Sequence, residues 1–348
     1  MARPFLAAVG LVFVAHSYAW AQNPVQITTK SDLPEQWKKF EGSALSLASY
    51  IGSGSFYSGY GSNSFASLAL FALPRYDLGT RYKLGLRARI ILEEELTAPD
   101  NPTGRRFAPF DPWFWLAADN LRTFERSKIT IGGAFRTIWP VSHESRYRHD
   151  VVTVGVGPNV NRVFEFGQVN DEARKWTLSL RYGLLFSKSF QTSNFRGSGP
   201  GDTTGCLAPA SPAASGATSG GPSASSGDVC GGPANTNYGF TNSFAVNLER
   251  GKVSLSVSLA IFNDFKYSFP ADAATPDNGV ATGRSDSTWG IISAGYKLRP
   301  HLSVGLGISS FQPALDSRYR YPRFPFWDFA GANANNYSQI FLSVGGSL

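Results

Sequence analysis

The stretch Tyr337 to Leu348, Tyr-Ser-Gln-Ile-Phe-Leu-Ser-Val-Gly-Gly-Ser-Leu, constrains the fold more than any other part of the chain. Ile340, Leu342, Val344 and Leu348 share one parity, and Gln339, Ser343, Gly345 and Ser347 share the other. A strand with that alternation has one apolar face and one small or polar face. An exposed strand edge of this kind pairs with other chains unless a closed barrel satisfies it. The remaining sequence therefore has to supply the partners on both sides.

It supplies them in number. Strong alternation recurs over 81–93, 127–139, 175–187, 252–262 and 301–309, and weaker alternation over 44–51, 65–73, 113–120, 150–156, 238–248 and 288–298. Each segment is about ten residues, the length of a tilted membrane strand. The links alternate between short ones (75–80, 121–126, 249–252, 297–300) and long ones (52–64, 94–112, 140–149, 190–237, 263–287, 310–336), with 157–174 the exception. This resembles bacterial outer-membrane barrels, which have short periplasmic turns and long extracellular loops. The resemblance is to that architectural class over residues 41–348, with no particular family within it. It implies an all-β fold, a transmembrane antiparallel up-and-down β-barrel of about 12 strands, with ten to fourteen in range, in the bacterial outer membrane.

A soluble sandwich is the competing fold. Its solvent faces would carry Lys, Glu and Thr. Here Val253, Leu255, Val257, Leu259 and Ile261 oppose Ser254, Ser256, Ser258 and Ala260. An aliphatic face repeated on strand after strand needs lipid or a second sheet to cover it. Trp113, Trp115, Trp139, Trp176, Tyr182, Tyr238, Trp289 and Tyr296 lie near segment ends, as interfacial girdles do. Helical periodicity is nearly missing, apart from one turn expected in 32–40.

Residues 1–21 read as a secretory signal: Arg3, an apolar core from Phe5 to Val14, and the small-x-small site Ala19-Trp20-Ala21. Residues 22–40 are expected as a periplasmic N-terminal segment. The Gly/Ser/Ala/Pro-rich stretch 197–233 cannot bury a core, so 190–237 is expected as a disordered extracellular loop. Export places Cys206 and Cys230 in an oxidising compartment, where they are expected to form a disulfide. The net charge of +7 is spread over many segments and forms no concentrated basic face, so nucleic acid is not an expected partner.

Charge on a lipid face is costly, so charged parities must point inward. That rule puts Lys83, Arg87, Arg89 and Glu93 in the lumen, with Lys128 and Arg136 from the next strong segment and Lys175 and Arg181 from the one after. The inward acids are fewer: Glu93 and Glu95, with Asp119 and Asp264. A cationic lumen concentrates anions and disfavours cations. The alternative is that these cations pair with acids and plug a narrow barrel.

His143-Glu144-Ser145 is the one catalytic motif in view. On a strand, His143 and Ser145 would face the same way, so that the imidazole acts as base on the hydroxyl. The pair resembles the His-x-Ser of outer-membrane phospholipases and lipid A deacylases, although Arg146 stands where those families usually have Asn. The four histidines show no metal-ligand spacing, and no cofactor motif is present. Two loops interleave arginines with aromatics, 105–115 and 318–327, a combination that suits anionic sugars, lipid phosphates or interfacial packing.

The expected role is a pore or transporter for small solutes with an anion bias. Outer-membrane lipid and lipopolysaccharide surround it, and small anionic solutes pass through it. The alternatives are a structural or surface-interaction barrel whose loops bind a partner, and a lipid hydrolase of the outer leaflet using His143 and Ser145.

Overall fold

A computed structural model describes residues 35–52, 55, 66–79, 81–97, 105–167, 175–193, 235–267, 283–315, 322–326 and 337–348. The expected signal segment, Cys206, Cys230 and most of 190–237 lie outside the described residues.

The strands are β1 (Ala44–Gly52), β2 (Ala66–Leu73), β3 (Arg75–Asp77), β4 (Leu84–Glu95), β5 (Arg106–Pro109), β6 (Trp113–Phe124) and β7 (Ile129–Ile138), followed by β8 (Asp150–Gly167), β9 (Lys175–Gln191), β10 (Thr236–Arg250), β11 (Val253–Lys266), β12 (Arg284–Arg299), β13 (Leu302–Pro313) and β14 (Tyr337–Ser347). They form one antiparallel sheet in which β14 pairs with both β13 and β1, and β2 pairs with β4 to close the ring. β2 and β3 make one stave, as do β5 and β6, so the barrel has 12. The terminal strand that leaves an edge in the sequence is satisfied on both sides, from Ala44 opposite Ser347 to Gly52 opposite Gln339.

Proline explains the first broken stave. Pro74 has no N–H to donate, but its carbonyl still accepts from the Ala88 amide at 3.0 Å. Ser43 mends the gap: its hydroxyl accepts from the Arg75 amide at 2.9 Å and donates to the Arg75 carbonyl at 3.2 Å. The second break, at Asp111-Pro112, is bridged from both neighbours. Phe110 N–H donates to Ile91, and Trp139 N–H donates to Pro112.

One end of the barrel carries the short links and is called the turn end; the other is the loop end. A six-residue 3-10 helix, Glu35–Phe40, leads into β1 at the turn end, where the sequence predicts a helical turn. The exception at 157–174 disappears, because β8 runs on to Gly167. Its lower half was illegible as a strand because Pro158 and Arg162 interrupt the outward aliphatic parity.

The wall has two chemistries. Outward positions are exposed aliphatics: Leu45, Leu47, Leu70, Leu86, Leu306 and Leu342 among them, with Leu306 and Leu342 each 57% exposed. The inward neighbours of that set, Ala48, Ala69 and Phe71, are buried. A closed barrel belted with exposed aliphatics belongs in a bilayer, which covers the belt without needing backbone donors. Among the described residues no helix is long and apolar enough to cross a membrane. Leu306→Arg is expected to destabilise the barrel by about 2–4 kcal/mol, the cost of a lipid-facing arginine near the midplane. Urea unfolding in lipid vesicles measures it, and an unchanged midpoint would show that Leu306 does not face lipid.

One sector of the outer wall is covered by protein. Thr288, Gly290, Ser310, Gln312 and Ser338 stand on outward positions of β12, β13 and β14 yet are buried. The segment Pro322–Phe326 lies over them. Leu315 bridges to Pro322, Arg323 N–H donates to Ala314 at 2.9 Å, and Gln312 donates from its side chain to the Phe324 carbonyl. Gly290 is required here, because a Cβ would sit 2.3 Å from the Pro325 carbonyl oxygen and against the Phe326 ring. The segment thus folds down the outside of the barrel and presents Phe324 outward.

Candidate functional site: the lumen

Pairing register carries the inward residues into rows. Arg75 pairs with Arg87, Arg87 with Trp115, and Trp115 with Arg136, so one row crosses β3, β4, β6 and β7. In the adjacent row Arg89 pairs with Trp113, and Trp113 with Ile138. Arginines and tryptophans therefore alternate over this patch. The guanidinium carbons of Arg89 and Arg136 lie 4.8 and 4.6 Å from the Trp113 ring centre. Cation–π attraction of this kind strengthens when the pair is desolvated, and Arg89, Arg136 and Trp113 are all buried.

Toward the loop end the lumen is filled. Trp113, Ile138, Phe262, Trp289, Ile291, Phe311 and Phe341 form a buried cluster, with Tyr50 and Trp115 packed against it. Trp289 Nε1–H donates to the Ser309 hydroxyl at 2.7 Å, which satisfies the one polar atom of that side chain. This corrects the reading of Trp113, Trp115 and Trp289 as interfacial girdle: their parity is inward. Trp139 and Tyr296 are exposed outside, where girdle residues belong.

Toward the turn end the inward positions are small and polar: Ser46, Ser254, Ser258, Ser293 and Ser343, with Asn159 and Asn161. Short side chains leave space, and Arg181 stands exposed there on an inward position of β9. It lies within the fields of Arg87 and Asp119, which project from β4 and β6. Arg87 is ion-paired with Asp119, whose side chain is half-exposed. A bulge supplies that aspartate: Asp119, Asn120 and Leu121 all lie opposite Gly132, between the pairs Ala118–Gly133 and Arg122–Ile131. Gly132 permits it, since a Cβ there would approach the Ala118 carbonyl oxygen to 2.6 Å. The lumen is thus a polar vestibule at the turn end, below an aromatic ceiling.

The other expected lumen residues lie elsewhere. Glu93 is on an inward position of β4 nearer the loop end, beside Glu95, which Arg106 engages at 2.6 Å. Lys83 and Lys128 are on no strand face. Both are exposed turn residues with left-handed φ of 49° and 53°, because the chain reverses there and the strands start one residue later. Lys175 opens β9 at the turn-end rim and pairs with Glu165 at 2.6 Å. Alternation carried through a reversal misplaces such residues by one step. Arg75 was missed, since its inward position depends on β3 continuing β2 past Pro74.

His143 and Ser145 do not lie on a strand. His143 to Tyr147 is a helical turn, capped by Ser142, whose hydroxyl accepts from the Ser145 amide. Residues two apart on a helix do not share a face. The Ser145 side chain is buried, and its hydroxyl donates to Asp111. Asp111 also accepts from the amides of Val141 and Ser142 at 2.9 and 2.8 Å, so it anchors this turn at the loop end. Among the described residues no cluster of His, Cys, Asp and Glu could hold a metal ion.

No protein-family model matches the chain, and no curated protein matches it in sequence. Solved structures do resemble it. An outer membrane channel from Pseudomonas putida F1 aligns with 93% of this chain and 100% of its own, at 11% identity and a TM-score of 0.45. The outer membrane phospholipase of Salmonella typhi aligns over 88% and 90%, at 8% identity and a TM-score of 0.34. The toluene transporter of Pseudomonas putida aligns over 90% and 90%, at 11% identity and a TM-score of 0.33. Channel and enzyme alike appear among these remote neighbours, so they share a barrel and decide nothing about activity. The closed sheet, its lipid-facing belt and the alternation of short turns with long loops make this chain a bacterial outer-membrane β-barrel.

Proposed function

We propose that the barrel is a passive pore for small solutes, with the turn end in the periplasm and a bias toward anions. The vestibule carries the reading. Arg75, Arg87 and Arg181 reach it from three strands, and Asp119 is the acid that sits among them. A cationic cleft with low-dielectric walls raises the local concentration of anions and repels cations. The aromatic ceiling acts as the constriction, and its rotamer changes set how often the passage opens.

Planar-bilayer recording in a potassium chloride gradient tests this. The wild-type barrel is expected to give a reversal potential on the chloride side of zero. Arg87→Glu combined with Arg181→Glu is expected to move it to the potassium side, with the folded fraction unchanged. A folded double variant that keeps the wild-type reversal potential would show that these arginines do not set selectivity. A folded wild-type barrel that never conducts would overturn the pore itself.

A further inference from the structure

Among the described residues, Arg136 in the vestibule ceiling has buried donors without an acceptor. Arg136 is 3% exposed, and its Nε and Nη1 atoms have no hydrogen-bond acceptor. Its charged neighbour over the Trp113 ring is another cation, Arg89. The acids nearby are committed elsewhere: Asp119 to Arg87, Glu95 to Arg106, and Asp111 to the helical turn. Buried guanidinium donors of this kind call for an acceptor, and a carboxylate is the acceptor whose geometry suits them.

The surroundings specify the rest of the ligand. Trp115 stands directly opposite Arg136 across the β6–β7 ladder and is only partly buried. Trp113, Tyr50, Trp289 and Phe341 lie beyond it in the buried cluster. Flat apolar walls favour a flat apolar body, by offset stacking and by burial of its surface. The row Arg87–Trp115–Arg136 links the vestibule, where Arg87 lies, to Arg136 through neighbouring strands.

From this we infer that Arg136, with Trp113 and Trp115, forms a binding site for a small aromatic carboxylate. The inference rests on the pore reading for its physiological use, but binding itself does not need conduction. The test uses the full barrel in detergent, with benzoate as the probe and acetate and benzylammonium as controls. Calorimetric titration and the thermal unfolding midpoint are read together. Benzoate is expected to bind at least tenfold more tightly than acetate and to raise the midpoint, and benzylammonium is expected to do neither. Arg136→Gln is expected to weaken benzoate at least tenfold and to abolish the shift in midpoint, while Arg136→Lys keeps part of both. Arg136→Gln removes a buried charge, so it is expected to fold; Trp115→Ala is a second variant and is expected to weaken benzoate more than acetate. Equal benzoate affinity in wild type and Arg136→Gln would overturn the site, as would equal affinity for benzoate and benzylammonium. Benzoate binding to a barrel that does not conduct would keep the site and remove the pore. Conduction without benzoate binding would keep the pore and remove the site.

Discussion

Trp289→Ala together with Trp113→Ala is expected to convert a narrow barrel into a wide one. Both rings are buried in the lumen, Trp289 at 1% and Trp113 at 3% exposure. In a protein core each such truncation costs about 3–5 kcal/mol, because the cavity left behind collapses only partly. A barrel lumen differs, since the hydrogen-bonded ring holds its circumference and water enters the space. The loss is therefore expected at the low end of that range for each residue, measured as a shift in the urea midpoint. Ion conductance is expected to rise severalfold in the same protein. A folded double variant with wild-type conductance would mean that the passage is closed by something other than the aromatic cluster.

Gly157→Val is expected to do the reverse, blocking assembly while leaving the lumen chemistry alone. A Cβ at Gly157 would lie 1.8 Å from the Leu184 carbonyl oxygen and 2.9 Å from the Leu185 Cα, both backbone atoms of β9. Nothing flexible is available to move aside. The ladder between β8 and β9 already skips Gly157 and Pro158, resuming at Asn159 opposite Gly183. Overpacking normally costs about 1–3 kcal/mol, and a clash with a neighbouring strand's backbone belongs at or above the top of that range. Heat-modifiable mobility on a gel reports the folded fraction. Wild-type amounts of compact barrel would show that β9 can shift, and that the close approach is not obligatory.

Much of this fold was legible because lipid enforces the alternation. Strands such as β11 and β14, where Val253 to Ile261 and Ile340 to Val344 face outward on alternate positions, fall within a few residues of their expected limits. Legibility fails where the exterior is no longer hydrocarbon. The lower half of β8 carries Pro158 and Arg162 and looks like a loop, yet it is held by the neighbouring ladders. The inward arginines Arg87, Arg89, Arg136 and Arg181 follow from parity alone. The inward tryptophans do not, because tryptophan suits both an interface and a crowded lumen, and only the register separates Trp113 from Trp139. The register also brings Arg87, Trp115 and Arg136 into one row. These three come from separate strands, and no spacing along the chain announces that they meet.

The segment folded over β12, β13 and β14 makes the circumference unequal. Toward the loop end of that arc the neighbouring molecules meet Phe324 and a loop backbone, and toward its turn end they meet Leu306 and Leu342, exposed aliphatics as on the rest of the wall. The uncovered sheet runs from β1 through β11, and there the exposed aliphatics continue to the loop end. Rotation about the membrane normal therefore matters as well as depth: lipid chains that meet exposed apolar side chains near the turn end meet a folded loop on three staves near the other.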